Sequence, residues 1–421
     1  MNPSRLFAAS CVALVTTSMV FSIRGDILDA LAADFRLTKE QIGLCLSPAF
    51  WGFTLSIWIG GSLVDFLGMR RLLLVSSAGY LVAVAAILLA PRPETTPATF
   101  YTDAGFLTLY GAMLTLGLAQ GLVEGVINPL AASMYPREKT HKLNVLHAWW
   151  PGGLIVGGLA SYGLTKAMGL DSGAVPAATA TLGWQIKLGL ITVPAIVYAA
   201  MVWSQPFPKT ERVTAGVTNR DMVREVFSPL FLLWWVCMWM TAATELGPDQ
   251  WVGSVMTQVA HMQGILLLVY TASLMFILRF FGGRLAHALS PMGLLTLSAI
   301  LSAIGLWGLS SVSTPTGAVL TSTVFGIGKT FFWPLMLAFT AERFAKSGAL
   351  GLAIIGGTGN LSVAFILPIM GSWYDSYGAA AAFRYVAYLP AVLTVVFGIL
   401  YLRYRHDHAS RPVSLPAAGG Q

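Results

Sequence analysis

The sequence predicts an all-α membrane protein with twelve transmembrane helices in two pseudo-symmetric six-helix bundles. Three observations carry that expectation. The first is composition: of 421 residues, 56% are apolar and only 10% charged, and the mean hydropathy is +0.71. Soluble domains carry about 25% charged residues. A water-soluble fold of this size could not cover so much apolar surface, whereas a lipid-facing one has no need to. The second is the number of long apolar runs, and the third is an echo of the first half of the chain in the second.

A membrane-crossing helix needs about 20 apolar residues. Twelve runs qualify, over 6–32, 41–65, 71–90, 105–133, 143–167, 184–204, 227–253, 262–281, 291–312, 316–341, 348–374 and 382–402. The fifth and eleventh are the weakest, being rich in glycine and polar residues. The first follows Arg5 and lacks a small-x-small cleavage pattern, so it reads as a membrane helix rather than a secretory signal. The polar stretch after the sixth, with Pro206, Pro208 and several charges, divides the spans six and six. The organisation expected is a bundle over 1–204, a cytoplasmic linker over 205–226, a second bundle over 227–404, and a disordered cytoplasmic tail over 405–421.

Charge sets the orientation. With the N-terminus in the cytoplasm, the basic clusters Arg70–Arg71, Arg137–Lys142, Lys209–Arg224 and Arg343–Lys346 all fall inside. Most of the 25 Lys+Arg residues do so, as the positive-inside rule requires. The net charge of +7 therefore reads as membrane topology and not as a nucleic-acid surface. Cys11, Cys45 and Cys237 stand singly in apolar runs, with no metal or disulfide spacing. No nucleophile–base cluster or phosphate loop points to an enzyme, and no cofactor is implied.

The halves echo each other. Gln41-Ile42-Gly43 opens the second span and Gly60-Gly61-Ser62-Leu63 closes it; Gln263-Gly264 and Gly282-Gly283-Arg284-Leu285 do the same in the eighth. Asn128-Pro129-Leu130 in the fourth span is matched by Trp333-Pro334-Leu335 in the tenth. Such repeats are common in secondary transporters, which bind substrate between the halves.

Charges inside spans carry the chemistry. Placing one there costs about 2.5–3.5 kcal/mol even on the lenient insertion scale, and Asp26, Glu124, Glu245 and Lys329 all lie within apolar runs. Gln120, Glu124 and Asn128 are spaced to share one helix face, so that face must meet a cavity or a partner. Arg24 cannot neutralise Asp26 within one helix, because i and i+2 point apart, so Asp26 and Glu124 have no obvious cation in register. An ion pair between Lys329 and Glu245 is the structural alternative for those two residues.

The segment Gly61-Ser62-Leu63-Val64-Asp65-Phe66-Leu67-Gly68-Met69-Arg70-Arg71 resembles the signature of the major facilitator superfamily between its second and third helices. Its glycine–arginine order is interrupted by Met69, and the second-half copy carries His287 in place of the acid. On that resemblance Gly61, Asp65, Gly68, Arg70 and Arg71 form a cytoplasmic gate motif, and the first, fourth, seventh and tenth helices line the cavity. Asp26-Ile27-Leu28, Glu124 with Asn128-Pro129, and Leu143-Asn144 further resemble the branch of fucose–proton symporters and sodium-dependent glucose transporters.

What that resemblance implies is a proton-coupled symporter of a monosaccharide or small polyol, with sodium the alternative ion, acting as a monomer in a bacterial inner membrane. Asp26, Glu124 and Glu245 are then the proton-coupling candidates. The substrate-binding candidates are Glu124, Asn128, Asn144, His147, Trp150, Gln250, Trp251, Lys329, Trp333 and Asn360. A polyol needs side-chain hydrogen bonds and an aromatic face, and Trp150 and Trp251 are favoured among the 13 tryptophans. His147 and Trp150 stand where the fucose symporter has Gln and Asn, which argues against fucose itself. A drug or metabolite antiporter on the same fold, and a membrane receptor or enzyme, are the competing readings.

Overall fold

The computed structural model describes residues 2–96, 99–135, 139–172, 175–208, 224–279, 285, 288–344 and 347–408. Side chains at 60–66, 132, 139–141, 144, 341, 348–349 and 404–408 lie outside that description, as do most of the linker and the tail. Among the described residues the chain forms twelve spans. The first five are single helices, Pro3–Asp34, Lys39–Leu67, Met69–Leu89, Ala104–Met134 and Lys139–Ala167. The seventh, eighth, ninth and eleventh are Pro229–Val259, Gly264–Arg279, Pro291–Leu309 and Gly348–Tyr377. Three spans are broken: the sixth into Ala177–Gly189 and Thr192–Val202, the tenth into Pro315–Lys329 and Phe332–Arg343, and the twelfth into Ala379–Val386 and Tyr388–His408. The fifth is more polar than the rest and the eighth is short, at 16 residues.

Local chemistry fixes these starts and breaks. Asp103 caps the fourth span, accepting from the Phe106 amide at 2.8 Å. Ser228, Ser290 and Thr314 cap the seventh, ninth and tenth, each followed by a proline at the first helical position, where a missing N–H costs nothing. Each break falls three or four residues before a proline, namely Pro194, Pro334 or Pro390. Proline cannot donate to the carbonyl four residues back, so Leu190, Thr330 and Val386 lose their helical donor. Two freed carbonyls are reused. Thr330 O accepts from Arg279 Nε at 3.3 Å. In the unbroken eleventh span, Pro368 frees Ala364 O, which accepts from Ser47 Oγ at 2.6 Å.

The second-to-third turn is a single residue, Gly68, at φ 83°. Its counterpart 222 positions on is Ser290, which precedes the ninth span with φ 63° and ψ 155°. The repeat read in the sequence therefore extends to the backbone, although only the first half uses the residue type that tolerates such a conformation.

Packing follows the same symmetry. The first span packs on the fifth and sixth, and the fourth on the second and third; likewise the seventh packs on the eleventh and twelfth, and the tenth on the eighth and ninth. The halves meet through the second span against the eleventh, the fifth against the eighth, and the first against the seventh. Small residues permit this approach. A Cβ on Gly371 would lie 2.2 Å from Lys39 O, one on Gly43 2.7 Å from Leu367 O, and one on Gly25 3.3 Å from Asp249 O.

The halves are not joined evenly along the membrane normal. One apolar cluster runs through the whole first half and continues into the second on the side away from the chain termini, taking in Trp251, Ile265, Phe325, Leu367 and Phe383. The termini-side portion of the second half forms a separate cluster around Trp234, Leu295, Phe332, Met336 and Phe397. At the far side Asp375 accepts from the Lys39 and Glu40 amides, and Gln263 donates to Asp171 at 3.2 Å. The molecule is thus sealed on the side opposite its termini.

Candidate functional site

The fourth and fifth spans bring together three of the expected residues. Asn128 Nδ2 donates to Glu124 Oε2 at 3.3 Å and to Glu124 O at 3.1 Å. His147 Nε2 lies 2.8 Å from Asn128 Oδ1. Glu124 and Asn128 are half-buried and His147 is exposed, although all three sit well inside their spans. The fifth span packs against the eighth of the opposite half, which ends at Arg279, so the array lies beside the interface between halves. Gln120, one turn along the same face, is spent on packing: its amide donates to Thr17 O at 3.1 Å. Among the described residues no cation pairs with Glu124.

Asp26 is placed differently from the expectation. Far from lacking a cation, it accepts from Lys187 Nζ and from Ser161 Oγ, both at 2.6 Å. All three residues belong to the first half, and Lys187 is buried. Lys187 lies inside the sixth span. An ion pair in this setting offsets the cost of carrying either charge alone.

The second correction concerns Lys329. Its partner is Asp249, with both carboxylate oxygens at 2.5–2.6 Å, not Glu245. Glu245 instead faces Arg279, with Oε1 3.7 Å from Nη2, and its Oε2 has no hydrogen-bond partner among the described residues. Glu245 and Asp249 are four apart on one helical face, a spacing available in the sequence. Arg279 closes the eighth span.

The remaining candidates divide. Trp150 packs edge-on against Phe21, with ring centroids 5.0 Å apart. Trp333 is half-buried with its ring over Gly359, where a Cβ would come within 2.6 Å. Asn360 is buried with Oδ1 unpartnered among the described residues. Gln250 is committed across the interface, accepting from Arg24 Nε at 2.8 Å and donating to Phe21 O at 3.0 Å. Trp251, favoured for its place beside Gln250, is fully buried in the sealed core near Tyr374. The side chains of Asn144 and of Asp65 in the gate motif lie outside the described residues. Of that motif, Arg70 and Arg71 are exposed and Met69 is buried, so the apolar insertion anchors the start of the third span.

The sequence matches the profile of the Major Facilitator Superfamily over residues 6–321 and again over 260–420. The chain belongs to this superfamily. Its fold agrees with an inward-open xylose transporter XylE from E. coli (TM-score 0.76, 12% identity, covering 94% of this chain and 96% of that one). The crystal structure of the nucleoside transporter NupG is also similar, with a TM-score of 0.67 at 12% identity over 95% of this chain and 99% of that one. By sequence, a voltage-gated purine nucleotide uniporter of Mus musculus is 30% identical over 106 residues, 25% of this chain. That match spans only 21% of the uniporter's length. The protein is therefore a multi-pass membrane transporter of a small-molecule substrate and not an enzyme.

Three residues now visible at the site were not singled out from the sequence: Lys187, Asp249 and Arg279. Arg24 was noticed only as unable to help Asp26. Each belongs to a cross-span contact, and pairings of that kind leave no local signal.

Proposed function

We propose that this facilitator-superfamily chain is a proton-coupled symporter of a monosaccharide or similar small polyol, working as a monomer by alternating access in a bacterial inner membrane with both termini cytoplasmic. The observation that carries the reading is the Glu124–Asn128–His147 array: a carboxyl bonded to a neutral amide that is itself bonded to an imidazole, on a cleft between two rocking halves. Such an acid can take a proton without abandoning an ion pair. Once protonated it donates a hydrogen bond and no longer carries a desolvated charge. Coupling follows if substrate binds best to the protonated cleft. Asp26 and Glu245, each facing a cation of its own half, are the further proton-coupling candidates. Asn144, Trp150, Trp333, Asn360 and the interface residue Gln250 are the remaining candidate sugar contacts.

The seal opposite the termini and the fold shared with a D-xylose–proton symporter (TM-score 0.76, 12% identity) support the same reading. Under it, Gly68, Arg70 and Arg71, with Asp65 and Gly61, form the cytoplasmic gate motif. The test is uptake of radiolabelled sugars into proteoliposomes with and without an inward proton gradient. Accumulation above the external concentration only with the gradient is expected. Equal uptake in both conditions would establish uniport and sink the coupling. A sodium gradient that drives accumulation when the proton gradient does not would reassign the ion.

A further inference from the structure

Three carboxylates inside the bundle have cations of their own: Asp26 has Lys187, Glu245 has Arg279, and Asp249 has Lys329. Among the described residues one buried cation is left over. Arg24 is 2% exposed on the first span, and among the described residues no carboxylate pairs with it. Its Nε is satisfied by Gln250 of the opposite half, while Nη1 and Nη2, both buried, have no hydrogen-bond partner among the described residues. The Phe21 and Phe50 rings lie 5.0 and 4.5 Å from the guanidinium carbon. They offset part of the charge's cost by cation–π attraction but leave its two amino groups bare.

A membrane protein rarely keeps a charge without an internal partner. A guanidinium presents paired donors in the fork that matches a carboxylate. Its surroundings suit a substrate site: Phe21 also packs on Trp150, and the second half reaches Arg24 through Gln250 of the seventh span, whose backbone also lies close to the neighbouring Gly25. That cover lifts when the halves part on the side opposite the termini.

We infer that the transported substrate is an anion, a hydroxylated monocarboxylate of the sugar-acid class, whose carboxylate is held by Arg24 when the molecule opens away from its termini. Closure of that side returns the Arg24 donor to Gln250 and weakens the grip, so that the anion is released toward the termini. The inference rests on the transport reading above and narrows its substrate.

The test is ligand binding and counterflow on the full chain in liposomes with a three-part panel: neutral monosaccharides, their uronic and aldonic acids, and small monocarboxylates without the polyol. Sugar acids preferred over their neutral parents by about ten- to a hundredfold are expected, the range of charge-assisted hydrogen bonds. Arg24→Gln should erase that preference, and Arg24→Lys should retain part of it. Because the charge is unpaired, ligand-free Arg24→Met should melt no lower than the parent. Transport of simple monocarboxylates alone would uphold the anion site and overturn the polyol reading. Neutral sugars transported in preference to their acids would overturn the anion site and leave the symport reading standing. Transport of none would overturn both. An Arg24→Met protein that melts lower, with the acid preference intact in Arg24→Gln, would make Arg24 a structural residue.

Discussion

The two halves treat their buried acids in opposite ways. On the cleft face of the first half, Glu124 accepts from the Asn128 amide, whose own oxygen meets the His147 imidazole. In the second half, Glu245 and Asp249 each face a cation. A carboxylate beside a lysine is held ionised by its neighbour, and protonating it strands a buried ammonium. A carboxyl among neutral donors has no such commitment and can change charge while its surroundings stay in place. Under the proposed coupling, Glu124 of the first half is the acid freest to change charge, whereas Glu245 of the second would have to leave Arg279 first. Asp26, in the first half but paired with Lys187, marks the boundary of the rule: pairing decides, not position in the repeat.

The largest expected effect comes from breaking the comparison at Glu124. Glu124→Gln keeps the shape and a hydrogen-bond donor but cannot titrate. Accumulation driven by a pH gradient should vanish, while counterflow exchange persists. Measured side by side in liposomes, undiminished accumulation would transfer the coupling role to another carboxyl.

Next is Asp249→Asn, which leaves Lys329 buried without its partner. Stability should fall by about 3–5 kcal/mol, seen as a lower melting temperature in detergent. Adding Lys329→Met should recover most of the loss, because the pair as a whole contributes little beyond cancelling itself. A double variant as unstable as the single one would mean that Asp249 holds something besides Lys329.

A smaller change sharpens the first-half array. His147→Ala removes the partner of Asn128 Oδ1, a bond worth about 1 kcal/mol, so substrate affinity should weaken by about fivefold. A drop of several hundredfold would promote His147 to a direct substrate ligand.

The smallest effects concern the paired turns. Gly68→Ala should lower the melting temperature, since a left-handed conformation costs a non-glycine residue about 1–2 kcal/mol. Ser290→Gly should raise it modestly, the relieved strain exceeding the few tenths of a kcal/mol lost with the cap. Equal and opposite shifts would confirm that the two turns are one device written in two residue types.

Much of this was readable in the chain. Twelve apolar runs, the Ser/Thr-Pro helix starts and the prolines that break the sixth, tenth and twelfth spans are all local signals. So was the shared face of Glu124 and Asn128. Electrostatic partners were not. Lys187 and Arg279 sit within a few residues of span ends, where a basic residue reads as a topology marker; only the packing of the sixth span on the first, and of the eighth on the seventh, turns them into counter-ions. Trp251 misled for a similar reason. Its neighbour Gln250 faces the interface, but a step of one residue rotates a helix by about 100°, which carries the indole into the core.

The uneven apolar core has a thermodynamic consequence. The first half and the far side of the second share one cluster, while the termini-side portion of the second half stands apart. Cooperative units are set by shared burial, so the groups of residues that unfold together need not be the halves that move together. Under mild denaturant, amide exchange in the stretch around Trp234, Phe332 and Phe397 should rise as a separate unit, before the rest of its own bundle. A transport cycle that rocks two six-helix bodies would then run on a molecule whose folding divides along a different line.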